Sequence, residues 1–115
     1  MKRNTAQLKE QLIQTGIDEI GKHGIEQLSL RTVAKACGVT HGSPYRHFES
    51  KEGYLKVVLT QLSLFLNQEI NENIDATGSA RDQLTQLGLN FIIFAKTYPH
   101  FFEALFIKFL SLIHI

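Results

Sequence analysis

The sequence predicts an all-α chain, and three observations carry that prediction. Apolar residues recur at three- and four-residue steps through most of its length, the spacing of one buried helical stripe. Ser29, Thr40, Ser50 and Ser79 stand where helix N-caps belong. No run alternates as a half-buried strand requires, and no repeat or low-complexity linker interrupts the pattern.

Taken in order, residues 5–23 form helix 1, with Leu8, Leu12, Ile13, Ile17 and Ile20 on its buried side. Gly16 falls near that stripe, where a missing side chain permits close packing, and Gly24 ends the helix as a C-cap. Ser29 caps helix 2 over about residues 30–37, with Val33 and Ala34 turned inward, and Cys37-Gly38-Val39 makes a corner. Thr40 caps helix 3 over about 41–47, and Pro44 lies in its first turn, where a missing N–H costs least. Ser50 caps helix 4 over about 51–73, and Glu52 in its first turn suits the helix dipole. Its stripe of Leu55, Val58, Leu59, Leu62, Phe65, Leu66, Ile70 and Ile74 is wide. Asp75 to Ser79 is the clearest break. Helix 5 follows over about 80–97 with Leu84, Leu87, Phe91, Ile92 and Ala95 inward, and Pro99 opens helix 6.

Two short helices joined by a Gly-Val corner are a helix-turn-helix, a motif whose second helix enters the DNA major groove. A groove roughly 12 Å wide needs a slim, polar leading face. Thr40, His41, Gly42 and Ser43 supply one, with Tyr45 and Phe48 beside them. Charge agrees in direction: residues 1–51 hold eight Lys/Arg against five Asp/Glu, whereas residues 52–115 hold four against six. A chance imbalance on a solvated surface would look the same, and the net charge of the 115 residues is only +1.

The run Leu30-Arg-Thr-Val-Ala-Lys-Ala-Cys-Gly-Val-Thr-His-Gly-Ser-Pro-Tyr-Arg-His-Phe-Glu-Ser-Lys-Glu52 resembles the DNA-binding domain of the TetR family of transcriptional regulators. Gly24, Gly38-Val39, Gly42-Ser43, Tyr45, His47-Phe48 and Ser50-Lys51 fall in that family's register, and the likeness is specific over about residues 8–60. The resemblance implies a three-helix helix-turn-helix DNA-binding domain at 1–50. A long connecting helix and an incomplete, truncated helical ligand-binding and dimerisation domain would follow at 51–115. It further implies a ligand-responsive repressor that binds a palindromic operator as a homodimer, with a small-molecule effector in the full-length parent. No cofactor is implied. Dimers of this motif read half-sites about 34 Å apart or a multiple of it.

By the same resemblance the DNA contacts are Arg31, Thr32, Thr40, His41, Gly42, Ser43, Pro44, Tyr45, His47 and Lys51. Arg31 reaches a base edge or phosphate, or else is a solvated surface arginine; Thr32 meets a phosphate. His41 sets sequence preference, Gly42 lets backbone approach closely, and Ser43 hydrogen-bonds phosphate or base. Pro44 departs from the family's commoner Leu and either touches a thymine methyl or only starts the helix. Tyr45 and His47 correspond to a phosphate-clamping pair, though His47 also suits a packing role. Lys51 anchors on the backbone beside the N-terminus of helix 4. Phe48 is core and Cys37 a small buried hydrophobe.

Competing classes fare worse. No glycine-rich phosphate loop, Gly-x-Ser-x-Gly or His-Glu-x-x-His occurs, so neither an enzyme nor a metal site is expected. The apolar run Phe101–Ile115 is interrupted by Glu103 and Lys108 and falls short of the roughly 20 residues of a spanning helix, leaving an interfacial or a core helix. One cysteine and a polar amino terminus without a signal peptide fit the cytoplasm. A helical interaction module without DNA-binding activity is the alternative reading. The chain is expected to stop inside helix 6, and Leu110-Ser-Leu-Ile-His-Ile115 is similar to the translation of a transposon-end adapter, so those six residues are expected not to be genuine coding sequence. Phe65, Phe91, Phe94, Phe102, Phe106 and Phe109 should then lack partners and invite association.

Overall fold

A computed structural model of the chain describes residues 3–113. Those residues form six α-helices and no strand: α1 Thr5–His23, α2 Leu30–Ala36, α3 Ser43–Phe48, α4 Lys51–Ile70, α5 Ala80–Thr97 and α6 Pro99–Ile113, with a single 3-10 turn at Ile25–Gln27. His114 and Ile115, and the side chains of Phe109 and of residues 111–113, lie outside what is described, so the reading of the terminal hexapeptide lies largely outside it too.

Helix α1 begins with a reciprocal cap that the sequence reading overlooked. The Asn4 side chain accepts from the Gln7 amide at 2.8 Å, and the Gln7 side chain accepts from the Asn4 amide at 3.0 Å. Ser29, Ser50 and Ser79 cap α2, α4 and α5 as expected. Thr40 caps nothing: α3 starts at Ser43 behind Gly42, two residues later than predicted. The reason lies in a turn over Thr40–Gly42, closed by the Ser43 amide donating to the Thr40 carbonyl at 3.0 Å.

The core joins α1, α2, α3 and α4. Leu12, Ile20, Val33 and Val58 are fully buried, and Ala104 of α6 reaches the same cluster. Its pivot is Tyr54, absent from the predicted stripe of the fourth helix. The Tyr54 hydroxyl donates to the Leu12 carbonyl at 2.6 Å. A Cβ on Gly16 would overlap that hydroxyl, so the glycine provides the close approach between α1 and α4. Burial pushes the Tyr54 phenol above its usual range, with the nearby Cys37 adding to the shift and a backbone hydrogen bond from Gly16 opposing it. Phe48 meets Tyr54 edge-on at 5.1 Å between ring centroids, and Lys9 of α1 stands 5.8 Å over the Phe48 ring.

In α5 the inward face differs from the one predicted. Phe94, only 2 % exposed, is the buried residue, whereas Leu84 is 71 % exposed and Phe91 and Ile92 are also exposed. The helix is apolar on more than one side, so periodicity alone selects no face. Phe65, Phe94, Tyr98 and Phe101 interlock as one aromatic group, with Phe65–Tyr98 centroids 5.1 Å apart. Phe65 and Phe94 therefore have aromatic partners, contrary to expectation, and so do Phe91 and Phe106, which both meet Phe102 although they remain partly exposed.

Candidate nucleic-acid interface

The corner after α2 follows from its sequence. Gly38 adopts φ 72°, a left-handed conformation that glycine enters without a Cβ penalty. Its amide donates to the Lys35 carbonyl at 3.1 Å, and the Val39 amide donates to the Ala34 carbonyl at 3.0 Å. That pair is a Schellman ending, which stops α2 and turns the chain while Val39 packs on the core. The turn at Thr40–Gly42 and helix α3 therefore project from a rigid support.

At the other end of α3, the Ser50 side chain accepts from the Gly53 amide at 3.0 Å and sets the start of α4. Gly53 has to be small, because a Cβ there would come within 2.3 Å of the Phe48 carbonyl oxygen. The sequence reading assigned Gly53 no role, and only the close approach of two backbones reveals one. Lys51 is the first residue of α4, exposed, beside amides that have no partner within the helix.

Most of the predicted contact residues share an exposed setting. Arg31 and Thr32 stand exposed in the first turn of α2, and Thr40, His41 and Gly42 are exposed in the turn. Tyr45 is 48 % exposed on α3. Nothing lies within 4 Å of where a Gly42 Cβ would stand, so the backbone there is open to a close partner. His47 is half-buried, its ring 6.0 Å from that of Phe48, consistent with a partly packing role.

Two residues depart from expectation. Pro44 is fully buried and Ser43 is 7 % exposed, so neither belongs to an outward leading face. Once α3 starts at Ser43, Pro44 and Phe48 fall four residues apart on one side of the helix, and that side meets the core. A thymine-methyl contact by Pro44 is ruled out by this burial. The same phase turns Arg46 outward. Sequence reasoning passed over Arg46, although a cation within a recognition helix is the plainest available signal.

No group of three or more His, Cys, Asp or Glu side chains suited to a metal occurs among the described residues. Nor is any described helix long and apolar enough to cross a membrane.

Residues 12–58 match the family model described as "Bacterial regulatory proteins, tetR family". Residues 12–58 are thus a domain of the TetR family. The chain is similar to the "Probable acrEF/envCD operon repressor" of Escherichia coli K12, with 32 % identity over 93 residues, covering 80 % of this chain and 41 % of that protein. It is also similar to the "HTH-type transcriptional repressor KstR2" of Mycolicibacterium smegmatis, with 28 % identity over 82 residues, covering 71 % of this chain and 40 % of that protein. The chain thus spans about two-fifths of the length of these TetR-type relatives.

Proposed function

We propose that this chain is the DNA-reading part of a cytoplasmic, ligand-responsive transcriptional repressor whose full-length form grips a palindromic operator as a homodimer. The observation that carries the reading is the exposure of Thr40, His41, Gly42 and Tyr45, with Arg31 and Lys51 exposed in the first turns of α2 and α4, on a packed core. In this reading His41 meets base edges, Gly42 admits a close backbone approach, and Tyr45 and Lys51 hold phosphates. Residues 1–50 act as reader, and residues 51–115 begin the sensor. An apolar cavity of about 420 Å³ between α4, α5 and α6, lined by Leu66, Phe91, Phe102, Leu105 and Phe106, supports an effector with a large apolar part.

Binding to a random-sequence duplex, followed by fluorescence anisotropy between about 50 and 200 mM salt, tests the reading. Affinity should fall steeply with salt, and Lys51→Ala should make the slope shallower by about one. His41→Ala should alter which sites are selected from a random pool, not the slope. A chain without salt-dependent affinity for DNA would instead be a helical interaction module.

A further inference from the structure

Helix α5 carries charge only at its ends. Arg81 and Asp82 stand in its first turn and Lys96 in its last, and no residue from Gln83 to Ala95 is charged. A helix side that faces water for more than three turns ordinarily carries charged groups. Here that side is apolar. Leu84, Gly88, Phe91, Ile92 and Ala95 recur at steps of three and four residues and so share one face. Leu84 is 71 % exposed, and Phe91 and Ile92 are roughly half-exposed. The face continues onto α6, because the Phe102 ring lies 5.6 Å from that of Phe91 and 6.1 Å from that of Phe106.

The centre of this face selects its occupant. Gly88 lies at the middle of Ala80–Thr97, and nothing stands within 4 Å of where its Cβ would be. A second helix therefore has room to come close at that point. Outward from Gly88 the pattern mirrors itself. A large apolar residue stands one turn away in each direction, Leu84 on one side and Phe91 with Ile92 on the other. A two-fold axis demands such a pattern, since each copy presents to its partner the surface that it receives. Antiparallel copies crossing at Gly88 set Leu84 of each against Ile92 of the other. The size of the face agrees. Leu84, Phe91, Ile92 and Phe106 each expose on the order of 100 Å². With the groups that flank them, a pair buries about 1,000 Å² in total, the low end for a specific interface.

We infer that two copies of this chain pair through α5, antiparallel and crossing at Gly88. The pairing is weak, with a dissociation constant between about 10 and 100 µM, because the buried area is small. Below about 1 µM the chain is a single copy and α5 stands uncovered. The inference goes beyond the DNA reading and does not rest on it. It gives the 115 residues a means of pairing in the absence of DNA.

Sedimentation equilibrium of the chain without DNA, between about 1 and 500 µM, is the test. The mass should rise from one copy to two and stop there. Gly88→Leu should weaken pairing about tenfold or more by filling the crossing point. Its thermal midpoint at the lowest concentration should not fall, because the new side chain meets open space within one copy and leucine favours a helix over glycine. Ile92→Glu should weaken pairing as much, since each pair would bury two carboxylates. On a Cys37→Ser background, Gly88→Cys should cross-link to itself on mild oxidation and Lys96→Cys should not, because an antiparallel crossing keeps the helix ends apart. Cross-linking through Lys96→Cys would overturn the antiparallel arrangement. A chain that stays monomeric throughout overturns the inference, as does a dimer that Gly88→Leu and Ile92→Glu leave intact. Masses that grow past two copies overturn it too, since a two-fold contact closes. Monomers that instead bind neutral phosphatidylcholine vesicles would make a lipid surface the occupant of α5 and overturn the pairing. DNA affinity in a strict monomer would leave the DNA reading standing alone, and pairing without salt-dependent DNA affinity would leave this inference standing alone.

Discussion

The two halves of this molecule use their apolar residues differently. In α1 to α3 and in α4 as far as Leu62, Leu12, Ile20, Val33, Val58 and Leu62 are sealed in one core, and Tyr45 is the one large hydrophobic residue exposed among the described residues of that stretch. In α5 and α6, Leu84, Leu89, Ile92, Ile93, Phe106 and Ile107 stand exposed around one packed aromatic group. The difference teaches that a helix needs neighbours on every apolar side. Helix α1 has one apolar stripe and neighbours to cover it. Helix α5 has apolar residues on several sides and packs mainly on α4 and α6.

Paired truncations put that contrast to measurement by chemical denaturation. Leu12→Ala should cost about 3 kcal/mol, the usual penalty of a buried leucine cavity. Leu84→Ala should cost under about 0.5 kcal/mol, as exposed positions do. Equal losses would mean that something covers α5 in solution. Gly53→Ala sharpens the picture within the well-packed half. The added carbon meets backbone and not a movable side chain, so a loss of about 2–3 kcal/mol is expected.

The smallest effect concerns Tyr54. Tyr54→Phe removes one buried hydrogen bond and should cost about 1 kcal/mol near neutral pH. Its phenol titrates higher folded than unfolded, so the unfolded chain releases that proton first as pH rises. Tyr54 therefore contributes stability that is fully present below the ordinary phenol value near 10 and declines above it. Stability measured across that range should decline less steeply in Tyr54→Phe than in the unsubstituted chain.

Much of the fold was legible because short-range chemistry writes it. Ser29, Ser50 and Ser79 announce helix starts, Gly38 announces a left-handed corner, and the Leu12–Ile20 stripe announces a buried face. Exposure at most of the proposed contact positions was legible for the same reason, since Arg31, His41, Tyr45 and Lys51 fall at exposed positions of recognisable elements. Thr40 misled because serine and threonine also stabilise turns, and a turn is what Thr40–Gly42 forms.

Local pattern determined the helical class, the helix-turn-helix and the exposure of most proposed contact residues, because capping, turn and periodicity signals act within a few residues. Three things only the tertiary structure decided: the phase of α3 that hides Ser43 and Pro44, the packing of Tyr54 against Gly16, and the inward face of α5 at Phe94. Each depends on which distant surface arrives against a residue, and that is a property of the assembled chain.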